Sequence, residues 1–332
     1  MKVRLIIPQD TPPTGGNRIS AARLAGALGA RGVTVTVDEG LAQLGEADIY
    51  HAFNAAKVGM GLVERGVEPE RIVVTWTGTD LWQDFVAQPE RLRRALAHVA
   101  FHAVFTEDAR ARLLQDAPEW ASVIRVIPPA VHTELFSPGP AERTVPHPMV
   151  LLAGGIRPVK RSAWAVTLVE QLREVSGLPV TLVVAGPIRD LAEGQRLFEA
   201  ARDRSWVWLL GEVPAAEMPS WYRAADLVLN TSLVEGVSNA LMEAMSTGAV
   251  VIATDIAGNR YLIEDGVNGL LYHTEAEFVA KAAALLQGQL DGRRLGEQAR
   301  ARILRRHSLV AEADAYLELY QLSLHAVRRC CR

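Results

Sequence analysis

Along the chain, short runs of apolar and β-branched residues alternate with longer stretches in which apolar positions recur every three or four residues. VRLIIP is followed by ISAARLAGALGARG and then VTVTV; DIYHAF, RIVVTW, HAVFT and VIRVI come later, with helical spacing between several of them. Runs that are apolar throughout predict strands buried on both faces, and helices between them supply the cover, so the pattern predicts a parallel sheet. In the first helix Ile19, Leu24 and Leu28 fall near one side, and Gly32 is placed to end it.

Six of the seventeen prolines lie between Pro128 and Pro148, in PPAVHTELFSPGPAERTVPHP, which reads as an interdomain connection because proline removes donors and stops helices. The alternation then restarts with MVLLAGG, a helix over SAWAVTLVEQLREV, VTLVVAG, WVWLLG, DLVLNTS, a helix ending at Gly248, and AVVIAT. The prediction is an α/β chain of two doubly wound domains in tandem, residues 1–145 and 146–308. Beyond them the chain is helical. Thr274 and Glu277 form a capping box, Ser308 caps the last helix, and Leu309, Tyr316, Leu319 and Tyr320 give that helix an apolar stripe that needs a surface to pack on.

Composition narrows the partners. With 332 residues, 49% hydrophobic, the chain can bury a large core. A net charge of -3 and a pI near 6.3 provide no broad positive field, so nucleic acid is not expected and an anionic membrane is not favoured by charge alone. The only cysteines, Cys330 and Cys331, form neither a disulfide framework nor a metal-ligand spacing. No stretch reads as a signal peptide or as a transmembrane segment of ~18 apolar residues, which points to the cytoplasm. PERLRRALAHVAFHAV reads in two ways: a basic amphipathic helix making peripheral membrane contact, or a solvated helix face carrying Arg91, Arg93 and Arg94.

In open parallel sheets ligands bind beyond the carboxyl ends of the strands. Four loops there carry candidate chemistry. In TPPTGGNRIS, Gly15 and Gly16 allow close backbone approach before a helix N-terminus that suits an anion; the plain alternative is a flexible turn. AGGIRPVKR lacks the GxGxxG spacing but gathers Arg157, Lys160 and Arg161 after a strand, which suits a phosphate if they are not simply solvent-exposed. In SLVEGVSNALMEAMSTG, Ser238 and Asn239 are cap-type residues, so the positive helix end faces the ligand edge and suits a diphosphate. Glu243 then lies about 7.5 Å further along, where a carboxylate can accept from a vicinal diol such as ribose; Glu235, in the loop, reaches the other side of the diphosphate. Lastly VVTWTGTDL ends in Thr77, Gly78, Thr79 and Asp80, a polar strand end or an ordinary turn.

Taken together these residues resemble the retaining glycosyltransferases of the GT-B fold, of the large family 4 type. The resemblance covers nearly the whole chain, through TGGNRISAARLAGALGARGVTVTV and through LLGEVPAAEMPSWYRAADLVLNTSLVEGVSNALMEAMSTGAVVIATDIAGNRYLIEDGVNGLLY. In the second block E-x7-E arrives together with EAM-x-x-G and a later DG-x-x-G.

The resemblance implies two Rossmann-like domains facing a cleft, with the last helix, 309–332, crossing back onto the first. It also implies a hexosyltransferase whose nucleotide-diphosphate sugar donor, by family habit a UDP-sugar, is held mainly by the second domain, with an unidentified acceptor on the first. No metal or other cofactor is implied, because a helix end and basic side chains neutralise the leaving diphosphate in such a fold. Glu243 matches the ribose glutamate, Glu235 the one beside the transferred sugar, Lys160 the phosphate lysine and Gly16 the glycine near the donor phosphate; Gly15, Val213, Gly236, Val237, Ser238 and Asn239 line the donor, and Thr77 and Asp80 the sugar or acceptor side.

Three positions depart from the family pattern. Gly155 stands where a phosphate arginine is usual, with Arg157 placed to substitute from a different angle; Thr77 stands where an active-site histidine is usual; and PAVH, Pro129 to His132, replaces Asn-Gly-Val-Asp. TGTDL and GGIRPVK also resemble selenosugar synthases, which would imply a small inorganic or thiol-type acceptor. Two rivals carry different expectations. A hydrolase using Glu235 and Glu243 as acid and base needs them about 5 to 9.5 Å apart across one bond, and a non-catalytic nucleotide-sugar binding protein would bind without turnover.

Overall fold

The computed structural model describes residues 1–9, 11–141 and 144–330; Cys331 lies outside them, as does the side chain of Cys330. The chain divides into a first unit, Met1–Ala130 with His307–Arg332, and a second, Val131–Arg306.

The first unit is built on β1 (Lys2–Ile7), β2 (Thr34–Glu39), β3 (Ile49–Phe53), β4 (Ile72–Thr75), β5 (Phe101–Val104) and β6 (Ile124–Val126), in the order β2-β1-β3-β4-β5-β6. Every pairing is parallel. Successive side chains leave opposite faces: Val3, Leu5 and Ile7 enter one core with Leu24 and Leu28 of the helix Gly16–Gly29, while Ile6 enters the other with Val74 and Trp76.

The second unit repeats the plan with β7 (Met149–Ala153), β8 (Thr181–Ala185), β9 (Val207–Gly211), β10 (Leu227–Asn230), β11 (Val251–Thr254) and β12 (Leu270–Tyr272), in the order β12-β11-β10-β7-β8-β9. Here Val150 and Leu152 face one core, Met149 and Leu151 the other. The sheets covered on both faces are as the apolar runs predict. Strand order reverses between β7 and β10 in the second unit and between β1 and β3 in the first, and such switch points are where crevices open at strand ends.

The structure places the division earlier than the expected break after residue 145. Val131, Phe136 and Val145 are buried in a core of the second unit, and Ser246 Oγ donates to the Phe136 carbonyl at 2.6 Å. The described part of the proline-rich connection is therefore anchored on that unit through these apolar residues, while residues 138–141 are exposed. PERLRRALAHVAFHAV also differs from the long amphipathic helix considered above: only Pro89–Ala95 is helical, Phe101–Val104 is β5, and Arg93 pairs with Glu90 and Glu119. Among the described residues no helix is long and apolar enough to cross a membrane.

The helix Leu309–Cys330 returns to the first unit, with Ala313, Tyr316, Leu319 and Tyr320 in the core that holds β1. A buried polar chain fixes its register: His51 bonds Tyr320 Oη at 2.7 Å and Thr75 Oγ1 at 2.6 Å, and Thr75 bonds Tyr316 Oη at 2.9 Å. Burial pushes His51 down to about 3, and likewise His102, which stacks on Trp120. Both rings fold neutral, whereas the unfolded chain protonates them near pH 6.5. Their contribution to stability is complete above about pH 6.5 and declines as pH falls toward 3, by about 1.4 kcal/mol per pH unit for each group. Urea midpoints at pH 7 and pH 5 should therefore differ clearly, with the lower value at pH 5; a flat profile would contradict the buried neutral pair.

Candidate functional site

Two strand-end loops meet at the switch point of the second unit. After β7 the chain runs through Gly154 and Gly155 into the short turn Pro158–Lys160; after β10 it runs from Thr231 to Ser238 before the helix Asn239–Thr247. Backbone and side chain stitch them together. Leu233 N–H donates to the Val159 carbonyl at 2.8 Å, Arg161 Nε to the Thr231 carbonyl at 2.8 Å, and Thr231 Oγ1 to the Lys160 carbonyl. Arg161 holds this bend in a left-handed conformation, φ 49°, with its guanidinium 3.9 Å over the Trp164 ring. It is thereby committed to the fold, unlike Arg157, whose side chain is exposed.

The stitching brings Lys160 onto Glu235. Lys160 Nζ donates to Glu235 Oε1, which also accepts from Ser232 Oγ at 2.7 Å and Asn230 Nδ2 at 3.2 Å. All three fall on one oxygen. Burial pushes the Glu235 carboxyl up, but the Lys160 charge and the bonds from Lys160, Ser232 and Asn230 together hold it below the ordinary carboxylate range. It is an acceptor at neutral pH and unsuited to serve as the protonated acid of a hydrolase. Beneath it, buried Asn259 donates from Nδ2 to Asn230 Oδ1 at 3.1 Å and to the Thr254 carbonyl at 2.9 Å. Gly258 lets the backbone come this close: a Cβ there would lie 2.5 Å from the Glu235 carbonyl oxygen and 2.7 Å from that of Gly236.

The helix Asn239–Thr247 starts where the sequence places it, with Ser238 Oγ accepting from Leu241 N–H at 3.4 Å and Gly248 closing it at φ 83°. Its first amides, at half-buried Asn239 and just after half-buried Gly236 and Val237, put the positive helix end directly after the Glu235 loop, to which Lys160 is bonded. Further along, Glu243 Oε2 accepts from Tyr222 Oη at 2.9 Å. Tyr222 is buried, and burial together with the Glu243 charge keeps its phenol protonated well beyond neutrality. It is therefore a fixed donor that orients the carboxylate. Val213, in the loop after β9, is half-buried against the core below.

Other expected site residues lie in the first unit. Gly15 precedes the helix Gly16–Gly29, and a Cβ there would sit 2.7 Å from Thr11 Cγ2, so the turn itself requires a glycine. Thr77 is half-exposed. Asp80 differs from its expected place on the sugar or acceptor side. It is fully buried, Oδ2 accepting from Ala55 N–H at 2.8 Å and Oδ1 from the N–H groups of Thr77, Gly78 and Leu81 at 2.9, 2.9 and 3.1 Å. Burial raises it to about 6 against the pull of those amides. It ties two loops together and presents no carboxylate to a ligand. At the β1/β3 switch point a cavity of about 290 Å³ opens instead, lined by Pro8, Gln9, Gly40, Leu41, Lys57 and Arg65.

Sequence reasoning missed Tyr222, Asn230, Ser232, Gly258 and Asn259. Asn230 and Ser232 stand in LNTS at a strand end, a polar cluster that could have marked them. Nothing local marks Tyr222, whose partner is 21 positions away.

The two doubly wound parallel-sheet units have the α/β GT-B fold, and in the second a Lys–Glu pair and a helix N-terminus meet at a switch point. Residues 147–288 match the model of the family Glycosyl transferases group 1, and the chain is a glycosyltransferase of the hexosyl-transferring kind. It is 25% identical to a glycosyltransferase 1 domain-containing protein 1 of Xenopus tropicalis, over 92% of this chain and 93% of that one. It is 30% identical to a D-inositol 3-phosphate glycosyltransferase of Xylanimonas cellulosilytica, over 59% of this chain; it spans 51% of that relative. Among solved structures it resembles Alr3699/HepE of Anabaena, solved with UDP and glucose, at a TM-score of 0.77, 17% identity and coverage of 96% and 98% of the two chains. Sucrose-phosphate synthase of Thermosynechococcus elongatus matches at a TM-score of 0.80 and 17% identity, over 98% of this chain and all of that one.

Proposed function

We propose that the protein transfers a hexose from a nucleotide-diphosphate sugar, with uridine as the base, and retains the anomeric configuration. The observation that carries this reading is the Lys160–Glu235 pair held beside the N-terminus of the helix Asn239–Thr247. The diphosphate sits on the helix amides near Gly236 to Asn239, where Lys160 and Arg157 neutralise it. Glu235 Oε2, which has no protein partner among the described residues, accepts from a hydroxyl of the sugar; Glu243, steadied by Tyr222, accepts from the ribose. As the diphosphate departs, positive charge builds on the anomeric carbon, and a donor phosphate oxygen takes the acceptor's proton on the same face. Catalysis is then a matter of positioning and of stabilising the leaving group, with protein cations in the role that a metal ion plays elsewhere. In the first unit, Lys57 and Arg65 at the cavity favour an acceptor that carries an anionic group.

The test is a panel of mass-tagged UDP-, GDP- and ADP-sugars, read for release of the nucleoside diphosphate and for the anomer of the product. Thermal protection by nucleotide with no release would make this a binding protein, and an inverted product would overturn retention. Glu243→Ala is expected to weaken UDP about 10- to 100-fold, since a bond to a charged group is worth roughly 1.5 to 3 kcal/mol. Calorimetry that finds unchanged UDP affinity would reject the ribose assignment.

A further inference from the structure

We propose that Arg189, which lies in neither signature block, is a second cation for the donor diphosphate, seated across Gly155. The proposal rests on the nucleotide-sugar reading above and extends it to a residue that sequence analysis did not single out.

The loops after β7 and β8 are zipped together. Ile156 N–H donates to the Pro187 carbonyl at 2.8 Å and Arg189 N–H to the Ile156 carbonyl at 2.9 Å, with a parallel bridge between Ile156 and Ile188. This lays the Arg189 side chain over Gly155. A Cβ on Gly155 would meet Arg189 Cγ at 2.9 Å and Nε at 3.2 Å, so the arginine fills the space that a side chain at position 155 would claim. One residue earlier, a Cβ on Gly154 would lie 4.0 Å from Lys160 Cε. Two cationic stems thus flank consecutive glycines at the strand ends next to the switch point. Arg189 is half-buried; burial lowers its guanidinium, Glu212 opposes this, and the like charge of Arg157 lowers it further. Arg157 and Arg189 bring like charges to one turn, and a diphosphate is a ligand whose charge relieves their repulsion.

The resemblance placed an arginine at position 155 and suggested Arg157 as its substitute. The geometry gives the place to Arg189, reached from the neighbouring loop. The competing role is structural, with Arg189 serving only as counter-charge to Glu212.

Calorimetry with UDP, GDP and ADP and the matching monophosphates separates the two. Arg189→Ala should weaken the preferred diphosphate roughly 10- to 100-fold while changing the monophosphate little, and Arg189→Lys should recover part of the loss. Gly155→Arg combined with Arg189→Ala should recover more, because Gly155 lies outside the left-handed region and the space over it is then vacant. Wild-type protein that binds diphosphates while Arg189→Ala binds them equally well, or loses both phosphate forms alike, overturns the assignment to Arg189. Wild-type protein that binds no nucleoside diphosphate overturns the donor reading itself. Should Arg189→Ala fail to fold, Arg189→Gln and Arg189→Lys carry the same comparison.

Discussion

Replacing Lys160 with alanine is expected to lower kcat on the order of 100- to 1,000-fold with a much smaller change in KM, the signature of a group that acts on charge developing in the transition state. Two effects combine. In the proposed mechanism the leaving diphosphate loses the cation that pairs with Glu235, and Glu235 loses the charge that opposes its burial. With that charge gone, burial drives the Glu235 carboxyl upward. The acid limb of the pH–rate profile should therefore move to higher pH in the variant. Lys160→Arg keeps a positive charge beside Glu235 and should leave that limb near its wild-type position while restoring only part of kcat, since the planar guanidinium does not reproduce a point charge on a flexible stem. Single-turnover kinetics with a mass-tagged UDP-sugar reads both quantities. Wild-type turnover in Lys160→Ala would remove the loop after β7 from the mechanism.

The parts of this molecule that were legible in the sequence are those set by local pattern. Continuous apolar runs gave the buried parallel strands, Ser238 and Gly248 marked the ends of the helix that faces the ligand, and Lys160 and Glu235 stood in loops that follow strands. What was not legible depends on contacts between distant segments. That Lys160 touches Glu235, 75 residues on, follows from the strand order that sets β10 beside β7. Arg161, equivalent to its neighbours by composition, is turned away by a left-handed bend and a tryptophan face. Asp80 looked available because TGTD reads as a turn, yet a turn whose amides converge on its own carboxylate consumes it. The break between units moved because the apolar residues among the prolines, Val131, Phe136 and Val145, had a core to enter.

The largest effect on stability is expected at Glu312, which belongs to the first unit, whereas the donor loops belong to the second. Arg23 and Glu312 pair in two-pronged fashion, Nε to Oε2 and Nη2 to Oε1, both at 3.4 Å, with each side chain only 4% exposed. Glu312→Ala leaves the Arg23 guanidinium buried without its counter-charge, a situation that costs about 3–5 kcal/mol. Domains are commonly stable by only ~5–15 kcal/mol, so one substitution removes a large share of what holds the first unit. The loss falls there because Ala313, Tyr316, Leu319 and Tyr320, on the same helix, pack in the core with β1 and β3. Urea unfolding should show a lowered midpoint, and hydrogen exchange should quicken first in Leu309–Cys330 and Ile49–Phe53. The paired change Arg23→Met with Glu312→Leu should recover most of the loss, because an apolar pair of similar volume escapes the desolvation that two buried charges suffer. If the single variant unfolded at the wild-type midpoint, the ion pair would not be what seats the returning helix, and the His51, Thr75, Tyr316 and Tyr320 chain would carry that role alone.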